Sequence, residues 1–139
     1  KEDIIDAPFG EAKISYSITN AEVSKKLIKK ENNLGCKISI EVEGTLKEYI
    51  YQEITVSRGD EFLKKMEAAI EETLKEQIDK TIEMLQKELK ADALGIGEYL
   101  YKFHPKLWNE IKNDWDEVFS EMDIEVEVRA YIRRRGLVE

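Results

Sequence analysis

The chain has 139 residues, 42% of them apolar and 37% charged, with a net charge of −8 and a pI near 4.9. That is a length and balance for one globular domain with a core of its own, neither disordered nor membrane-spanning. The acidity argues against a nucleic-acid partner, whose binding would rest on neutralising phosphates. The single cysteine, Cys36, excludes an internal disulfide and a thiolate metal centre. The triplet Leu34-Gly35-Cys36 lacks the apolar run that a lipoprotein signal needs, so Cys36 reads as a small residue at the start of a strand. Since the sequence opens on Lys1, it is expected to be a processed form or an excised domain.

In chain order, residues 1–10 (KEDIIDAPFG) read as a linker or the tail of a preceding segment, because Pro8 and Gly10 punctuate them. A single α+β domain is expected over 11–139. Ile14, Tyr16 and Ile18 alternate with Lys13, Ser15 and Ser17, the period of a half-buried strand. A shorter extended run over 23–28 is broken in pattern by its lysines. Asn32, Asn33 and Gly35 supply turn chemistry. The next strand places Ile38, Ile40, Val42 and Leu46 on one face and Lys37, Ser39, Glu41 and Glu43 on the other. One face of the sheet is therefore apolar and the other wet.

At Ser57 the period changes. Ser57 and Asp60 fit a capping box, and Leu63, Met66, Ile70, Leu74, Ile78, Ile82, Leu85 and Leu89 recur at three or four residues. This predicts one long amphipathic helix over 60–90. Its stripe moves mostly in steps of four, which disfavours a coiled-coil seam. Gly95 and Gly97 interrupt the helix or admit a close backbone, and Pro105 opens a new helix. On that helix Leu107, Trp108, Ile111, Trp115, Val118 and Phe119 form an apolar face, the tryptophans being expected in the core. Residues 124–133 alternate as a closing strand. The expected fold is α+β: a mostly antiparallel sheet of about four strands, with one long and one or two shorter helices on one face.

Chemistry is scarce. His104, the one histidine, has neither a nucleophile nor an orienting carboxylate in pattern, and before Pro105 it is expected to close a helix end. Asp114, Asp116 and Glu117 lack the spacing of a calcium loop. No phosphate loop, nucleophile elbow or zinc motif occurs. No catalytic, cofactor-binding or metal-binding residue is therefore assigned, although the separation of any two carboxylates is not readable in sequence. Arg133, Arg134 and Arg135 form a basic cluster that reads as a solvated strand end or as an interface with an acidic partner or anionic headgroups.

The ordered set Lys90-Ala91-Asp92, Leu94, Gly95, Gly97, His104-Pro105, Trp108, Asp114-Trp115, Phe119 and Ile132-Arg133-Arg134 with Gly136 resembles the C-terminal domain of the Ger(x)C family, the C subunits of bacterial spore germinant receptors. The motifs cover the last third of the chain, and the preceding strands and Glu/Lys-rich helix fit that domain as well. The resemblance makes Gly95, Gly97, His104, Pro105, Trp108, Trp115 and Phe119 a fold signature. It implies a larger, non-enzymatic lipoprotein whose signal, lipid-bearing cysteine and upstream domains lie outside this sequence. It further implies a lipid anchor at the outer face of the spore inner membrane, partnership with the A and B membrane subunits, and a part in nutrient-triggered germination. Arg135 stands where many members carry a smaller polar residue. A module that binds the germinant itself is the alternative.

Overall fold

The computed structural model describes residues 3–46 and 59–133. In chain order it gives β1 (Asp3–Phe9), β2 (Ala12–Lys30), β3 (Asn33–Thr45), α1 (Gly59–Met84), a π turn (Leu85–Leu89), α2 (Ile96–Phe103), α3 (Pro105–Ile111), a 3₁₀ turn (Lys112–Asp114), α4 (Trp115–Glu121) and β4 (Asp123–Arg133). The strands form one sheet in the order β1-β2-β3-β4. This is the α+β class expected.

β1 and β2 are antiparallel, from Asp3 opposite Ile18 to Phe9 opposite Ala12. The two residues between β2 and β3 allow only a hairpin. Across β3 and β4 the numbering rises together: Gly35 lies against Asp123, Lys37 pairs with Glu127, and Glu43 pairs with Arg133. That pairing is parallel, which the helical connection makes possible, since parallel neighbours need a crossover of a dozen residues or more.

Two expectations are corrected. Residues 3–9 are a strand and not a linker; as an edge strand β1 tolerates Pro8, and only Ala7 of it is buried. The extended run over 23–28 is no separate element but the second half of a 19-residue β2. The Ser57 cap falls outside the described residues.

Two compact units divide the chain. One comprises Lys1–Val23, Ile40–Glu76 and Val128–Glu139; the other comprises Ser24–Ser39 and Gln77–Glu127. In the first, Ile14, Tyr16, Val42, Val128, Ala130 and Ile132 are buried with Met66, Ile70 and Leu74 of α1. Phe9 meets Phe62 edge-on, with ring centres 5.3 Å apart. β4 is an edge strand, and two carboxylates of α1 accept from its backbone. Glu71 takes the Ala130 N–H at 3.0 Å, and Glu67 takes the Ile132 N–H at 2.9 Å. Covering an edge in this way removes a template for unwanted strand pairing.

In the second unit Cys36, Ile38 and Val126 of the strands are buried, with Ile82, Leu85, Ile96, Leu100, Phe119 and Met122 of the helical side. Burial pushes the Cys36 thiol pKa up, which leaves it a poor nucleophile. The stripe expected to run as one helix to residue 90 leaves α geometry at Met84 and finishes in the π turn.

Candidate functional site

The signature residues converge in the second unit, and the hub is Asp92, which the sequence reading placed in the family motif without giving it a structural role. Lys90 ends the π turn in the left-handed region, with φ 50° and ψ 42°, and turns the chain out of the helix axis. The Ala91 N–H still returns to the Leu85 carbonyl at 3.1 Å. Asp92 then folds its carboxylate over the start of α2. Oδ1 accepts the N–H groups of Leu94 (3.1 Å), Gly95 (3.0 Å) and Ile96 (3.2 Å). Oδ2 accepts Gly97 N–H at 2.7 Å and the Trp115 indole N–H at 3.2 Å. These orphan donors are the ones a helix N-terminus leaves, and a negative charge there also suits the helix dipole.

The two glycines have separate reasons. Gly95 sits at φ 81°, where a side chain is strained. Gly97 gives room: a Cβ there would lie 3.0 Å from Trp115 Nε1, 3.2 Å from Trp108 and 3.3 Å from Asp92. The indole rings thus rest on bare backbone, meeting edge-on at 5.4 Å between centres, with Phe119 6.0 Å beyond Trp115. Phe119 is fully buried. Trp108 and Trp115 are only half-buried, which corrects their reading as core residues. The reason is local. The segment expected as one helix is α3, a 3₁₀ turn and α4, and the turn brings the two indoles together over Gly97.

His104 occupies the joint between α2 and α3. Its N–H closes α2 on the Leu100 carbonyl at 2.7 Å, and its own carbonyl accepts the Trp108 N–H at 2.9 Å. Pro105 fills the first position of α3, where no N–H is needed. The imidazole Nε2 lies 3.3 Å from the Tyr99 hydroxyl, which also accepts the Leu27 N–H of β2 at 3.0 Å. Gln86, in the π turn and buried, donates to the carbonyls of Phe119 (2.8 Å) and Met122 (2.7 Å), fixing the end of α4.

Arg133 lies in the other unit, where its guanidinium bonds Glu43 at 3.0 and 3.3 Å and stands 4.8 Å from the Tyr131 ring centre. Arg134 and Arg135 fall outside the described residues. Among the described residues no group of three or more His, Cys, Asp and Glu is placed to hold a metal ion. No helix among them is long and apolar enough to cross a membrane. Beside the signature lies an open cleft of about 750 Å³, lined in part by Leu89, Glu98, Tyr101, Trp108, Trp115 and Asp116.

The family described as spore germination B3/GerAC like, C-terminal, matches residues 1–136. The chain belongs to that family. Spore germination protein KC of Bacillus subtilis (strain 168) is 30% identical over 138 residues, taking in 96% of this chain and 33% of that protein. Spore germination protein YndF of the same organism is 29% identical over 126 residues, 91% of this chain and 31% of that protein. The chain therefore spans about a third of the length of these relatives. Among solved structures, the crystal structure of the GerBC protein superposes with a TM-score of 0.82 at 23% identity, covering 95% of this chain and 40% of that one. That likeness is one of fold. Gly95, Gly97, Trp108 and Trp115 of the expected signature lie in the Asp92-centred assembly.

Proposed function

We propose that this chain is the C-terminal domain of a C-type subunit of a nutrient germinant receptor, working in spore germination through protein–protein contacts and not through catalysis. One observation carries the reading: the polar groups at and around the signature are engaged within the fold. Asp92 holds five donors, and His104 and Gln86 are tied to neighbouring groups. A reaction centre needs a base or nucleophile facing a space for substrate, whereas this set shapes a surface. Membership of a germination family and relatives with germination names support the same role. The complete protein is read as lipid-anchored on the outer face of the spore inner membrane, with the A and B membrane subunits as partners.

Spores lacking the gene test the reading by loss of refractility. Failure with a nutrient, together with a normal response to a trigger that bypasses receptors, is the expected result. Normal response to every nutrient, also after deletion of the nearest relative in the same genome, would sink it.

A further inference from the structure

We infer that the cleft beside the signature is a docking site for an arginine- or lysine-bearing segment of a partner protein. This deepens the proposed role and rests on it only for the partner's place in the receptor. The geometry carries the rest. Both tryptophans of the chain line the cleft, partly buried, together with the exposed Tyr101 at 63% and Leu89 at 59%. Large apolar side chains so exposed on one hollow mark an interaction surface. The floor is rigid in advance of binding. Trp115 is pinned by Asp92, both indoles lie on the bare backbone of Gly97, and so little side-chain freedom remains to be lost.

Charge selects the occupant. The lining carries Asp92, Glu98 and Asp116 against Lys90 alone. Asp92 already has its donors; Glu98 meets only exposed Lys102, at 3.5 Å, a weak pair. Asp116 has no ion-pair partner among the described residues. A cation entering beside Trp108 and Trp115 meets aromatic side chains and two available carboxylates at once, and indole is the strongest of the aromatic partners for a cation. The hollow is open, so it does not enclose a small ligand as pockets for such ligands do. Trp, Tyr and Arg are the residues enriched at interface hot spots, and an arginine segment laid into this cleft would bring the three together away from water.

The test uses the full-length protein in spores of the source organism, with Tyr101 replaced by the photocrosslinker p-benzoylphenylalanine. Irradiation is followed by mass spectrometry of the crosslinked peptide. The expected result is an adduct on another protein whose crosslinked segment contains arginine or lysine. Its yield should fall about tenfold when Glu98→Lys and Asp116→Lys are introduced, as like charges in the cleft repel that segment. The milder pair Glu98→Gln and Asp116→Asn should give a smaller fall, and both positions are exposed, so folding is spared. Adducts only to lipid, to a small molecule or to a second copy of the chain overturn the inference. So does the absence of any adduct, a segment without a basic residue, or a yield indifferent to charge reversal. Germination of the deletion strains is read separately: normal germination that persists after deletion of the nearest relative removes the receptor role, while the crosslink still decides what the cleft holds.

Discussion

Each unit of this protein lays an aromatic ring over a glycine and ties off the ring's polar atom, yet the two arrangements serve different ends. In the first, the Tyr16 ring crosses Gly44 of β3, where a Cβ would come within 2.5 Å of the ring and collide with the Ser17 carbonyl. The Tyr16 hydroxyl donates to the Tyr131 carbonyl at 2.7 Å, and the residue is fully buried. In the second, Trp115 crosses Gly97 and gives its N–H to Asp92, but is only partly buried. A buried phenol on a strand glycine completes a core. A partly buried indole on a helix glycine makes a rigid piece of surface. The same packing device serves interior and surface, and what differs is how far the ring is buried.

Substitutions sharpen the contrast. Gly44→Ala carries the largest expected effect, because the new methyl meets backbone on one side and a buried ring on the other; overpacking of this kind costs about 3 kcal/mol. Urea unfolding measures it, and a loss well under about 1 kcal/mol would mean that β3 can move away from Tyr16. Asp92→Ala comes next, at about 2–3 kcal/mol, since it removes a cap and a charged acceptor together. Because both tryptophans sit at this site, their fluorescence should change alongside stability. Asp92→Asn should lose nearly as much, as its amide NH₂ would face donors and accept from none. Gly97→Ala should cost about 1 kcal/mol: the 3.0 Å approach to Trp115 is partly offset by the better helix propensity of alanine. If Gly97→Ala proves as damaging as Gly44→Ala, the indoles are core after all.

The first arrangement was hidden in the sequence and the second was half visible. Alternation located β3 and β4 and the first half of β2, since each buries one face. The stripe of α1 was equally plain. β1 escaped because a seven-residue edge strand that buries little beyond Ala7 shows no alternation. The second half of β2 was obscured by Lys25, Lys26, Lys29 and Lys30, charges that an exposed strand carries without penalty. Asp92 did carry a signal, an acidic side chain three residues before a left-handed glycine and just ahead of an amphipathic turn. Glu67 and Glu71 carried none. Their N–H partners lie 65 and 59 residues away, and on α1 they look like any other solvated glutamates. Gln86 was lost in the same way, one polar residue inside an apolar stripe.

The smallest effect at neutral pH separates the two rings by titration. Burial, with the Glu67 carboxylate nearby, raises the Tyr16 pKa far above its ordinary value of 10.0. The folded state therefore keeps the phenol proton where the unfolded chain releases it. With the folded pKa the higher of the two, the stabilisation is complete below pH 10 and drains away as the pH rises beyond it. Unfolding at a series of pH values above 9 should show stability falling more steeply in the wild type than in Tyr16→Phe. That variant lacks the titrating group and should lose about 1 kcal/mol at neutral pH, from the hydrogen bond to Tyr131. Parallel slopes in the two proteins would mean that solvent reaches the phenol in the folded state, and that the ring over Gly44 is no more enclosed than the one over Gly97.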